Sequence, residues 1–127
     1  MNFPQAITSG FRNYVNFATR AARSEFWFWV LFSFILSSAA TYLDLAVFAD
    51  FDIDTLLDVS LTPFSTVVSL GLFLPSLAVS IRRLHDIDRT GWWMLIIFTI
   101  IGVLLLLAWD CIKGTTGSNR YGPDPLA

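Results

Sequence analysis

Three long apolar runs without a charged residue, separated by short charged segments, constrain this chain more than anything else in it. They cover residues 26–43, 59–81 and 90–109. Each is close to the roughly 20 residues that an α-helix needs to cross a hydrocarbon core. Charged residues are 14% of the chain and hydrophobic residues 55%, with a mean hydropathy of +0.63, whereas a soluble domain carries about 25% charged residues. The expected fold is a single all-α integral membrane domain, with three transmembrane helices at about 26–43, 63–81 and 92–109 and a polar tail over 110–127.

The charge distribution is more informative than the net charge of −2, which is too small to suggest a nucleic-acid partner. Residues 1–24 lack the apolar stretch of a cleavable signal peptide, so the first run reads as a retained span. Before it, Ile7, Phe11, Tyr14 and Ala18 recur at helical spacing. This predicts a short amphipathic helix over about 5–20, capped by Thr8 or Ser9 and lying in the membrane interface. Arg20, Arg23 and Glu25 then precede Phe26-Trp27-Phe28-Trp29, a boundary pattern with arginine heads in water and indoles at the headgroup level.

The first link holds Asp44, Asp50, Asp52, Asp54 and Asp58 and no Lys or Arg. Thr62-Pro63 suits a helix start, and Pro75 inside the second span should kink it or leave a carbonyl unpaired. The second link carries Arg82, Arg83 and Arg89, and Gly91-Trp92-Trp93 opens the third run. The tail is rich in Gly, Pro, Thr and Asn and reads as turns. With three crossings and a cytoplasmic N-terminus, Arg12, Arg20, Arg23, Arg82, Arg83 and Arg89 lie inside. Lys113 and Arg120 lie outside, so the positive-inside rule favours this orientation, with the C-terminus periplasmic or extracellular.

Apolar surface does not pair helices in lipid; small and hydroxyl residues do. Ser65, Ser69, Ser76 and Ser80 fall within an arc of about 60° on the second span, and Ser33, Ser37, Ala40 and Thr41 within about 100° on the first. These two stripes are expected to face each other. No ionisable group lies within the three runs, which argues against a proton relay or ion pump.

The arginine-bearing ends bring Arg20, Arg23 and Glu25 toward Arg82, Arg83, His85 and Asp86. Arg82 and Asp86 form an i,i+4 pair if the helix continues, and Glu25 can pair Arg82 or Arg83 across helices. Two roles fit: a salt-bridged collar fixing helix ends, or a site for anionic headgroups, since arginine outnumbers carboxylate and grips phosphate bidentately. His85 is the only histidine, below the ligand count of a zinc site. No nucleophile stands near it, and Cys111 is the only cysteine, beside Asp110 and without a disulfide partner. The sequence therefore offers no cofactor or metal site and no catalytic residue.

Three blocks resemble the domain of unknown function 805 family, the small YhaH-type bacterial inner-membrane proteins. They are Arg20-x-x-Arg23-Ser24-Glu25-Phe26-Trp27; Arg82-Arg83-Leu84-His85-Asp86 followed by Gly91-Trp92-Trp93; and Gly114-Thr115-x-Gly117-x-Asn119-Arg120-Tyr121-Gly122-Pro123-Asp124-Pro125. The resemblance implies a multi-helix protein of the bacterial inner membrane and no known activity. It also raises the arginine and His-Asp cluster as a candidate site. Thr116 and Thr99 stand where the family pattern carries proline, which removes the proline basis for a kink in the third span.

Two functional readings follow. One is a structural or accessory protein that engages anionic lipid or a membrane-protein partner through its cytoplasmic collar. The other is a small transporter or channel component, homo-oligomeric because three helices enclose little space. An enzyme acting on lipid is a third.

Overall fold

The computed structural model describes residues 2–47 and 63–126. The chain forms α1 (Phe3–Arg12), α2 (Arg23–Val47), α3 (Pro63–Asp86), a 3₁₀ helix (Gly91–Phe98) and α4 (Ile100–Cys111). Among the described residues there is no strand, only an isolated bridge between Asn119 and Gly122. Asp50, Asp52, Asp54, Asp58 and the Thr62 helix start lie outside the described residues.

The N-terminal helix starts earlier and stops sooner than the expected 5–20. Asn2 and Gln5 form a reciprocal capping box, with backbone-to-side-chain bonds of 2.9 and 3.0 Å and Pro4 in the first turn. At the other end the Asn13 amide donates back to the Ser9 carbonyl at 2.8 Å, a local bond that competes with helix continuation. Thr8 and Ser9 do not cap; Thr8 donates to the Pro4 carbonyl and Ser9 to Glu25. The face turned to α2 is Ala6 and Gly10, both buried, flanked by edge-on contacts of Phe3 with Phe28 and Phe11 with Trp29. A Cβ on Gly10 would stand 2.2 Å from the Trp29 ring, so the glycine that weakens the helix is what lets the indole seat.

Helices α2 and α3, 25 and 24 residues long, extend about 36–38 Å each at 1.5 Å per residue. Both are long and apolar enough to cross a membrane, and only 11% and 22% of their most apolar windows are buried. Apolar side chains that face outward to this extent do not belong to the core helices of a soluble protein. The two helices pack through Phe26, Trp29, Leu72 and Val79. At the far end, the buried Asp44 carboxylate accepts from the Phe64 and Ser65 backbone N–H groups, each at 3.0 Å, and from the Ser65 hydroxyl at 2.5 Å. The last turn of α2 thereby caps α3, placing a negative charge on two orphan donors at the positive end of that helix.

The expected stripe of small residues divides. Thr41 meets Ser65 at 3.3 Å, and Ser76 accepts from the Trp29 indole at 3.0 Å. Ser33 is half-buried, its hydroxyl oxygen buried with no hydrogen-bond partner, Ser37 is half-buried, and Ser69 is exposed. Ser80 lines a cavity toward the 3₁₀ helix. Large side chains, more than serine, form the contact between the two helices.

Pro75 does free a carbonyl. The residue four positions earlier is Gly71, and the Tyr14 hydroxyl donates to its carbonyl at 2.5 Å. The chain after α1 thus supplies the hydrogen bond that proline removes from the helix ladder. Tyr14→Phe is expected to lower stability by about 1 kcal/mol, and by much less once Pro75→Ala restores the backbone donor. A double-mutant cycle measured by detergent unfolding reads this coupling; additive losses would rule it out.

The third run is where the expected architecture is corrected. It is not one continuous helix. The Thr99 hydroxyl accepts from the Gly102 N–H at 2.9 Å, capping α4, and donates to the Ile96 carbonyl at 2.9 Å, closing the 3₁₀ helix. Threonine thus breaks the run without proline. The 12 residues of α4 extend only about 18 Å, short of the roughly 30 Å core. The two ends of the run also lie together. The Trp93 and Trp109 rings meet edge-on at 5.4 Å, and the Arg89 guanidinium sits over both, 5.8 and 4.8 Å from the ring centroids. The run therefore goes out and returns, and residues 113–124 fold back over the arginine end of α2 and α3. Among the described residues, two helices and not the expected three are long and apolar enough to cross a membrane, and the tail lies against the arginine end.

Candidate functional site

The seven residues singled out at the helix ends lie at one end of the bundle, six of them buried together. Arg20, Glu25, Arg82, Arg83, His85 and Asp86 are each 6% exposed or less; Arg23 is exposed. Continuation of α3 through Asp86 is what buries them, because it carries four polar side chains past the apolar run and under the tail.

Two ion-pair sets share the space. Arg82 pairs with Glu25 at 2.9 Å, and the Ser9 hydroxyl donates to the same Glu25 oxygen at 2.7 Å, tying α1, α2 and α3 together. Asp86 takes Arg20 at 2.9 Å on one oxygen and Arg83 at 2.8 Å on the other. The expected Arg82–Asp86 pair is not made: Glu25 holds Arg82, and Asp86 turns to Arg83 one position on.

Arg20 and Arg83 also reach the tail and the end of α4, while, among the described residues, Arg82 Nε and Nη2 and Arg83 Nε are buried without a partner. Arg20 donates to the carbonyls of Thr115 at 2.5 Å, Gly117 at 2.6 Å and Gly122 at 3.3 Å. Arg83 donates to the carbonyls of Trp109 and Ile112. Thr115 N–H donates to the Asp86 carbonyl at 2.6 Å. A guanidinium offers five donors in a fixed fork, and here the fork organises backbone that has no regular structure of its own.

His85 is held on both sides. Its Nδ1 lies 3.0 Å from the Thr19 carbonyl, which can only accept, so the proton is assigned to Nδ1. Its ring stacks on Tyr121 with centroids 3.9 Å apart and planes 2° from parallel. The Asn119 amide donates to the His85 carbonyl at 2.9 Å, and the pair Arg120–Asp88 closes the exposed rim at 3.1 Å. The Leu126 and Gly117 N–H groups hold the Asp124 carboxyl below its usual range.

Sequence reasoning placed the charged residues but missed Ser9, Thr115, Asn119 and Tyr121 as their partners. The third sequence block was the available signal, since a polar turn-rich tail with repeated glycines needs something to fold against. Trp27 and Arg23 also reach the end of α4, donating to the Asp110 and Cys111 carbonyls at 3.1 Å each. Among the described residues no cluster of three His, Cys, Asp or Glu side chains is in place to hold a metal. Cys111 is exposed and free.

The family model described as protein of unknown function (DUF805) matches residues 14–123, which covers α2, α3, the returning segment and the tail as far as Pro123. The chain belongs to the DUF805 family. It is 42% identical over 122 residues to the inner membrane protein YhaI of Escherichia coli (strain K12), covering 95% of each chain. It is 37% identical over 116 residues to the inner membrane protein YhaH of the same organism, covering 90% of each. The uncharacterised YiiR from that strain is 25% identical over 135 residues, covering 86% of this chain and 85% of its own. No solved structure matches. In this chain Arg20, Glu25, Arg82, Arg83, His85, Asp86, Gly114, Asn119 and Tyr121 come together at one end of the bundle.

Proposed function

We propose that this chain is an accessory protein of the bacterial inner membrane that crosses the bilayer twice and engages anionic lipid headgroups from the cytoplasmic side. The observation that carries this reading is the return of the third run, which puts the tail at the arginine end. All eight Lys and Arg residues then lie before the first crossing or after the second, and residues 44–62 contain none. The positive-inside rule assigns that end to the cytoplasm more decisively than three crossings do.

Arg20, Arg82 and Arg83 are buried in internal ion pairs, so the collar itself acts as a structural lock. Arg12, Arg23, Arg89, Lys113 and Arg120 are exposed, and each basic residue near an anionic surface contributes about 1 kcal/mol. The test is lipid analysis of the protein extracted with its surrounding bilayer. Anionic phospholipid is expected to be enriched over the bulk membrane, and the enrichment to be lost in the combined variant Arg12→Gln, Arg23→Gln, Arg89→Gln, Lys113→Gln. Lipid of bulk composition would overturn the proposal, as would a co-purifying protein partner lost in that variant in place of lipid. For the topology, labelling of Ser118→Cys and Asp54→Cys in a Cys111→Ser background should place the two positions on opposite sides.

A further inference from the structure

A cavity of about 440 Å³ opens between the first two turns of α2 and the end of α4, lined by Arg23, Ser24, Trp27, Phe28 and Cys111. Two hydrogen bonds hold its walls together, from Arg23 Nη1 to the Cys111 carbonyl and from the Trp27 indole to the Asp110 carbonyl. Phe28 is backed by Phe3 of α1, edge-on at 5.9 Å. Arg23 is the one charged group among the lining residues. No carboxylate faces it there: Glu25 is turned inward to Arg82, and the Asp110 side chain lines a different cavity beside Phe26 and Leu84. Among the described residues, the four ion pairs are made by other residues.

Beyond Arg23 the same face of α2 becomes apolar. Arg23, Ser24, Trp27 and Phe28 fall within an arc of about 140° at 3.6 residues per turn, and Leu31, Phe34 and Ile35 continue inside that arc. All three of these side chains are exposed, so the face stays uncovered along the helix. The order along it is a cation, then aromatic rings, then a bare apolar flank. A phospholipid read from its headgroup inward has the matching order: phosphate, the interfacial level that indoles prefer, then acyl chain. Cation, cavity and flank follow one direction along α2, so a single lipid reaches all three. A guanidinium offers five donors and grips phosphate through parallel N–H bonds; the Cys111 bond orients that fork at the cavity wall.

We propose that Arg23 binds the phosphate of an anionic membrane phospholipid in this cavity, with one acyl chain lying along α2 past Trp27 and Phe28 and over Leu31. The proposal rests on the bilayer reading above and gives one of its exposed basic residues a defined site.

The test uses the full chain in mixed vesicles of phosphatidylcholine and phosphatidylglycerol. Each lipid is supplied in turn as a tracer carrying a photoreactive group on one acyl chain about 12 Å from the phosphate, the distance from Arg23 to Leu31 along the helix. Labelled residues are located by peptide mass spectrometry. Leu74 on α3 is the internal reference: it lies level with Leu31, since each is two residues beyond the Trp29–Ser76 bond, and the two are 40% and 47% exposed. The ratio of Leu31 to Leu74 labelling is expected to be roughly fivefold higher with phosphatidylglycerol than with phosphatidylcholine, the equivalent of the ~1 kcal/mol of one basic residue at an anionic surface. Arg23→Gln should bring it down to the phosphatidylcholine value. Cys111→Trp, which keeps the charge and obstructs the cavity from its other wall, should lower the ratio as well. A ratio that is the same for both tracers, or unmoved by Arg23→Gln, overturns this site even where anionic lipid is enriched around the protein as a whole. Lipid of bulk composition around the protein overturns the parent reading and this site with it. Disulfide cross-linking of copies through the native Cys111, with Leu31 unlabelled, would assign the cavity to a second copy and also overturn the proposal.

Discussion

Arg82→Met is expected to cost about 3–5 kcal/mol of stability, because it leaves the Glu25 carboxylate buried with the Ser9 hydroxyl as its remaining partner. Glu25→Leu is expected to cost as much by stranding Arg82, which is 1% exposed. The combined variant is the informative one. Arg82 already has its Nε and one terminal nitrogen buried without partners, so the intact pair carries desolvation that the Glu25 contact does not fully offset. Two apolar side chains of similar volume remove both charges and that deficit together. The double variant should therefore unfold within about 1 kcal/mol of the parent or above it. Unfolding in a denaturing detergent, followed by the fluorescence of Trp29 at the helix interface, measures all three. If the double variant loses the sum of the two single losses, the pair is not an isolated lock and the collar couples to something further.

That buried pair marks where the sequence was legible and where it was not. Helices α2 and α3 could be read directly, because a long uncharged run in a chain this apolar has few other places to go. The cross-helix Glu25–Arg82 pair was one of two alternatives for Glu25, since a pair of adjacent arginines on a helix points in directions about 100° apart. Which arginine faces α2 depends on the rotation of α3. The third run shows the opposite case. Its length and composition match a crossing, and the break rests on one hydroxyl, Thr99, bonded to Ile96 and Gly102. Threonine in an apolar run is also compatible with an unbroken helix, so no periodicity argument distinguishes the two. The decisive information lies in what the end of α4 and the tail touch: Trp27, Arg23, Arg83 and Arg20. Those contacts are long-range and have no local signature beyond the third block. Asp44 was legible only as the end of a span, although its carboxylate caps the next helix.

Gly114→Ala is expected to detach the tail from the collar. A Cβ at this position would lie 1.8 Å from one Asp86 carboxylate oxygen, and that carboxylate cannot swing aside because Arg20 and Arg83 grip it from both sides. Either the carboxylate leaves its arginines or residue 114 leaves Asp86; the second costs less, since it exposes backbone to water instead of unpairing buried charges. Moving residue 114 also moves Thr115, whose N–H and carbonyl bond Asp86 and Arg20. The His85–Tyr121 stack then loses its support from one side. The loss should be about 1–3 kcal/mol, as for an overfilled core, and should be concentrated in the tail. Gly117→Ala provides the comparison. Gly117 has a φ of +76° with no atom within 4 Å of the added Cβ, so it pays only the left-handed strain of about 1–2 kcal/mol and leaves Asp86 untouched. Limited proteolysis should therefore cut Gly114→Ala within residues 113–124 much faster than the parent chain, with α2 and α3 still protected, while Gly117→Ala lies between them. Equal protection of Gly114→Ala and the parent would mean that the tail does not seat on Asp86, and the common location of the tail and the arginine cluster would fall with it.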